Sequence, residues 1–174
     1  ALAVFPAFSK KHSRRQLYTF ATALLTAGYV VFFFAEASIY LIAAAGVIVF
    51  VGQAFIQLLM LMFLADTIEY GQWKLGKRND SITFSIQPLI NKIGGALSTG
   101  IISVTLVVCG IKTGDTAAEA IDAAGQMTLK VSMLVIPLIM IIVGYFIYRA
   151  KYRIDEKMYA EIVADLKARG DITE

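Results

Sequence analysis

Four long apolar runs constrain this chain more than any other feature. A hydrocarbon core of about 30 Å is crossed by about 20 helical residues. Leu17 to Ala35, Ile39 to Ala65, Ser81 to Cys109 and Met127 to Tyr148 all meet that length. The expected fold is therefore an all-α membrane protein, with a transmembrane region over residues 1–149 and an amphipathic tail over 150–174. Composition agrees, because only 17% of the residues are charged where soluble domains carry about 25%. The second run is long enough to tilt or to extend beyond the hydrocarbon. The linker before it, around Glu36 and Ser38, is very short. The opening ALAVFPAF does not begin like a signal peptide, and up to Phe8 it reads as the tail of an earlier span, so the chain reads as a piece of something longer.

The basic residues report topology. Lys10, Lys11, Arg14 and Arg15 precede the first span; Lys74, Lys77 and Arg78 lie between the second and third; Arg149, Lys151, Arg153, Lys157, Lys167 and Arg169 follow the fourth. Only Lys112 falls in a loop on the opposite side. By the positive-inside rule, loop 66–80 and tail 150–174 are cytoplasmic. The net charge of +3 is thus explained by span ends and calls for no nucleic acid. Cys109 is the sole cysteine, which excludes an internal disulfide or a cysteine metal site. His12 is the sole histidine, and no nucleophile or metal cluster accompanies it, so no enzyme is expected, no metal site and no cofactor.

Two lysines lie inside spans. Lys130 is near enough to the outer end of the fourth to snorkel, but Lys92 is about 16 Å into the third, close to the bilayer midplane. A central lysine costs roughly 2.5 to 3.5 kcal/mol by insertion scales and normally faces an interior or an aqueous cavity. It reads as a group in a substrate or ion pathway, against the alternative of a buried lysine paired with a carboxylate. Gln87 and Asn91 share a face, and Pro88 between them frees the carbonyl of Phe84. Gly94, Gly95, Ser98 and Thr99 read as a packing stripe. Gln53 and Gln57 share a face of the second span, where amides need a partner or water.

From composition alone the charges of the middle loop read as a solvated loop; against that, Asp66 and Glu69 could pair with Arg78 and with charges on other helices, forming a lock that breaks on opening inward. The outer loop carries Thr116 and Glu119 in a capping-box pattern and ends on Gly125, which predicts a short surface helix. In the tail, Ile154, Met158, Ile162 and Leu166 recur every four residues, with Gly170 as a stop. That stripe fits the cytoplasmic face of the bundle or the headgroups, with a docking strip for a further cytoplasmic domain as the alternative.

The stretch ADTIEYGQWKLGKRNDSITFSIQPLINKIGGALS resembles the signature region of the glycoside-pentoside-hexuronide:cation symporters of the major facilitator superfamily. Asp66, Glu69, Tyr70, Gly71, Gly76, Arg78, Gln87, Lys92, Gly94 and Gly95 fill its places, with spacing held across about thirty residues. GQM at Gly125 to Met127 and EKMYAEIVADL in the tail are most similar to the lactose permease branch, and the chain as a whole resembles the lactose permease / melibiose permease type.

The resemblance implies the carboxy-terminal part of a major-facilitator-type bundle: helices nine to twelve plus the end of helix eight. It implies symport of a glycoside or oligosaccharide with a proton or sodium ion by alternating access, with no cofactor. Partners would be the sugar, the lipid bilayer and an amino-terminal half that supplies the acidic cation ligands; the location would be the plasma membrane. Lys92 would couple cation to sugar, Gln87, Asn91 and Gln57 would bind the sugar, and Asp66, Glu69 and Arg78 would form the cytoplasmic gate. Gln57 replaces a sugar-site tryptophan of the melibiose permease, and Pro88 replaces a threonine, so sugar identity does not carry over. Alternatives are a related symporter of a non-sugar solute and a non-transporting sensor or regulatory remnant.

Overall fold

The chain is described by a computed structural model over residues 12–35, 38–110 and 123–171. The described residues contain helices and no strand. In chain order these are α1 (Arg14–Phe34), α2 (Ile39–Leu75), α3 (Asp80–Val108), α4 (Ala123–Lys151) and α5 (Glu156–Ala168). The first four are each long and apolar enough to cross a membrane. The expected end of an eighth helix, Lys10, Lys11 and Glu36, and the outer-loop residues Lys112, Thr116 and Glu119 lie outside the described residues. Gly125, expected to end a surface helix, instead lies in the first turn of α4.

The main departure from expectation is at the carboxy-terminal end of α2. Loop 66–80 is not a loop through most of its length, because the helix continues to Leu75. No proline interrupts ADTIEYGQWKL, and the stop comes only at Gly76. That residue takes φ +67, the left-handed conformation that glycine adopts without a Cβ penalty. At 1.5 Å per residue α2 is about 55 Å long, roughly 25 Å more than a hydrocarbon core. Its last turns therefore project beyond the core and offer a surface to other elements.

At the same end of the pair, α1 starts three residues before the apolar run. Ser13 Oγ accepts from Gln16 N–H at 3.2 Å, and Gln16 Oε1 accepts from Ser13 N–H at 3.1 Å. This reciprocal box satisfies two helix-end donors. The pair α1–α2 forms the best-packed part of the chain: Leu17, Ala21, Phe55 and Leu59 make one buried cluster. Lipid tails are as apolar as leucine, so helices in a bilayer associate by close packing. Gly28 and Gly52 permit it, since a Cβ on Gly28 would sit 2.7 Å from Val49 Cγ2 and one on Gly52 2.9 Å from Leu25 Cγ. The small-residue stripe at Gly94 and Gly95 receives no such neighbour; a Cβ there would meet nothing within 4 Å among the described residues.

Helix α3 runs unbroken through Pro88 and buries only Thr105 among its residues. α4 contains a π-helical turn, Val131–Val135, in which Ile136 N–H reaches back to Val131 O. Pro137 follows directly, and its missing N–H leaves one fewer bond to hold the ordinary helical register there. The tail helix α5 starts at Glu156, after Ile154 of the expected stripe, capped by Asp155, whose carboxylate accepts from Met158 N–H at 2.8 Å. It ends as expected at Gly170, φ +75. Asp171 N–H bonds Leu166 O and Gly170 N–H bonds Lys167 O, each at 3.0 Å, which together form a Schellman motif.

Candidate functional site

Two sets of polar residues stand out, one within the span of α3 and one at the end of the bundle where α1 begins and α2 stops. Lys92 sits about 18 Å along α3 from its start. It is exposed, as are Asn91 and Gln57, while Gln87 is half-buried. Among the described residues, the side chains of Gln57, Gln87, Asn91 and Lys92 make no hydrogen bond or ion pair to one another or to other groups. The chain thus presents them on the open flank of α3 and on α2 without closing a pocket around them. Gln53 is likewise exposed on α2.

The second set is built around Asp66, which is 2% exposed. A carboxylate buried to that degree needs a compensating charge and further hydrogen bonds. Arg14, the first residue of α1, supplies the ion pair, and the Tyr152 hydroxyl donates to Asp66 Oδ2 at 3.0 Å. The Arg14 guanidinium also lies 4.5 Å from the centroid of the Tyr159 ring on α5, in cation–π range. Its backbone N–H donates to Glu156 Oε1 at 2.9 Å. The Glu69 carboxylate acts electrostatically on the Tyr159 hydroxyl, and its Oε2 is buried without a hydrogen-bond partner among the described residues. Burial first, and then this carboxylate, raise the Tyr159 pKa above its ordinary value. Burial likewise pushes Tyr152 up, with Tyr148 adding to it. Both phenols therefore stay protonated and available as donors.

Arg78 does not join this cluster. Its Nε donates to Asp80 Oδ2 at 2.8 Å and its Nη1 to Gln72 Oε1 at 3.3 Å, so the expected pairing of Arg78 with Asp66 or Glu69 is replaced by one with its own loop. The reason is the continuation of α2: Arg78 lies beyond Gly76, whereas Asp66 is nearly three turns earlier on a rigid helix. Reading charges by proximity in sequence missed Arg14, Tyr152, Tyr159 and Glu156. The signal available for Arg14 was that an acid at the end of a span needs a cation on a neighbouring helix.

α5 seals the same end. Ile162 and Leu166 are buried, 2% and 0% exposed, as the helix packs against the end of α2. Trp73 Nε1 donates to Asp165 Oδ2 at 2.6 Å, and Gln72 Nε2 donates to Asp171 O at 3.1 Å. The Trp73 bond first, and Arg169 second, hold the Asp165 carboxyl below its usual pKa. Beneath this cap, Phe63 lies 5.0 Å from Tyr148 and 4.9 Å from Tyr152, and Tyr18 lies 4.3 Å from Tyr148, ring centre to ring centre. The stack joins α1, α2 and α4. Among the described residues, no group of three His, Cys, Asp or Glu could hold a metal ion.

Residues 1–156 match the family described as MFS/sugar transport protein. The chain is 35% identical to the raffinose carrier protein of Pediococcus pentosaceus over 96% of its own length and 26% of the relative's. It is 36% identical to the lactose permease of Lactobacillus delbrueckii subsp. bulgaricus, over 95% of the chain and 26% of the relative. Against the lactose permease of Leuconostoc lactis it is 31% identical, over 94% and 25%. The chain therefore spans about a quarter of the length of these relatives. Each of the three names describes a transporter rather than an enzyme.

Proposed function

This chain belongs to the MFS/sugar transport protein family, and from that membership we propose that it forms the carboxy-terminal helices of a secondary symporter. Its four long apolar helices make it a multi-pass membrane protein. The whole transporter would move a glycoside or small oligosaccharide together with a proton or sodium ion across the plasma membrane, by alternating access. The arginine-rich ends of α1 and α4, the end of α2 and α5 face the cytoplasm, as the distribution of lysine and arginine supports.

The observation that carries this reading is a mid-helix lysine, Lys92, unpaired among the described residues and on a helix whose flank is otherwise open. An ammonium group at that depth is tolerable only where another polar surface or water faces it. Gln87, Asn91 and Gln57 would offer hydrogen bonds to sugar hydroxyls, and Lys92 would couple the cation to the sugar by competing with acidic groups of the amino-terminal half. At the cytoplasmic end, the Asp66–Arg14 pair and the Glu69–Tyr159 contact would hold the gate, with Arg78 acting through Gln72. In the full-length protein, Lys92→Ala should abolish uptake against a gradient while leaving protein abundance near wild type. Unchanged accumulation ratios would remove Lys92 from the coupling role.

A further inference from the structure

A second feature lies on the outer flank where α1 meets α4. Arg15 and Arg149 line an open cavity of about 560 Å³ together with Ser13, Gln16, Thr19, Phe20 and Ala23. The two guanidiniums are held in position. Arg15 Nη2 donates to Arg149 O at 3.5 Å, Arg149 Nη1 donates to the Tyr145 hydroxyl at 3.1 Å, and that hydroxyl shares a hydrogen bond of 3.1 Å with Thr19 Oγ1. Among the described residues, neither arginine has a carboxylate partner. Phe20 is 48% exposed, and it and Ala23 lie about 8 and 12 Å further along α1 than Arg15. A fixed pair of cations at the end of the helices and an apolar groove one to two turns deeper match the two ends of a lipid. Snorkelling alone explains arginines at this depth, but not their convergence over a shared groove.

We propose that this groove binds one anionic phospholipid of the cytoplasmic leaflet, with its phosphate on Arg15 and Arg149 and an acyl chain along Phe20 and Ala23. The ligand chemistry is a phosphate anion, met either on a lipid or free in solution; the apolar wall favours the lipid. The proposal rests on the orientation proposed above and not on the sugar or the cation.

The test is native mass spectrometry of the full-length protein in detergent, titrated with dioleoyl phosphatidylglycerol, dioleoyl phosphatidylcholine or inorganic phosphate. Each basic residue at a membrane surface contributes about fivefold to binding of an anionic lipid, so phosphatidylglycerol should be retained about 25-fold more tightly than phosphatidylcholine. The Arg15→Gln/Arg149→Gln variant should lose that preference, whereas Lys157→Gln, a smaller loss of charge on α5, should keep it. If the double glutamine variant does not fold, Arg15→Gln alone serves in its place and should cut the preference about fivefold, and Phe20→Gln should weaken both lipids. Equal retention of the two lipids by wild type, or a preference that survives the double glutamine variant, overturns the proposal. Displacement of the lipid by an equal concentration of inorganic phosphate also overturns it, in favour of a free-phosphate site. Because no arm measures transport, failure of the symport reading leaves the result standing. Failure of the orientation alone would show as thiol labelling of the Arg15 end from outside.

Discussion

Replacing Arg14 by glutamine leaves the Asp66 carboxylate buried with only the Tyr152 hydroxyl to stabilise it. The side chains are 24% and 2% exposed, so the two halves of the pair are not equivalent. Removing the cation strands a charge with almost no access to water, a change that costs about 3 to 5 kcal/mol. Asp66→Asn strands Arg14 instead, which keeps partial solvent access and the Tyr159 ring, so the cost should be smaller. If the pair is made only while this end, cytoplasmic in the orientation proposed above, is closed, about 4 kcal/mol shifts the closed-to-open ratio toward open by about a thousandfold. Two readouts on the full-length protein separate the parts of this reasoning. In inverted vesicles, with Cys109→Ser and Asn91→Cys as the background, a membrane-impermeant thiol reagent should label the introduced thiol at least about tenfold faster once Arg14→Gln is added. In thermal unfolding, a double-mutant cycle should give a coupling well above the additivity error of about 0.5 kcal/mol, with the double variant no worse than Asp66→Asn alone. A coupling inside that error, or Asp66→Asn being the more damaging single change, would refute the ion-pair account. Normal coupling with unchanged labelling would leave the pair as a structural contact and remove it from the gate.

Two further changes test the packing and the tail. Gly52→Ala places a methyl group 2.9 Å from Leu25 Cγ and 3.3 Å from Ala21 O, so it should cost about 1 to 3 kcal/mol and lower the thermal midpoint in detergent. Gly94→Ala meets nothing among the described residues and should be neutral unless a helix from elsewhere in the transporter packs there, in which case activity falls at normal abundance. Asp165 has a depressed pKa in the docked tail, so its contribution is complete above the ordinary carboxylate value of about 4 and is lost as pH falls through the lower folded value. Limited proteolysis after Arg153 should therefore accelerate only in acid for wild type. Asp165→Asn should be cleaved faster already at neutral pH, and equal rates there would remove the Trp73–Asp165 bond from tail docking.

The apolar runs, the family signature and the position of Lys92 were legible because each is a local property. Length against bilayer thickness needs no partner, and a charge at mid-span is costly wherever the helix sits. The tail stripe was readable for the same reason, since Ile162 and Leu166 repeat every four residues and Gly170 allows one backbone conformation that ends the helix. Helix ends were less legible. The Ser13–Gln16 box and the continuation of α2 to Gly76 depend on end groups and breakers, which hydropathy does not weigh.

By itself, then, the sequence determined a four-helix membrane segment of a sugar-transporter family with one lysine deep within the length of a span. Only the tertiary structure decided which charges meet. Asp66 is separated from Arg14 by most of two antiparallel helices, and it lies within the same chain segment as Arg78, which it does not touch. Ion pairing falls off within a few ångströms. The partner of a buried acid is therefore set by how α1, α2 and α5 pack, through glycines and aromatic rings that carry no charge of their own.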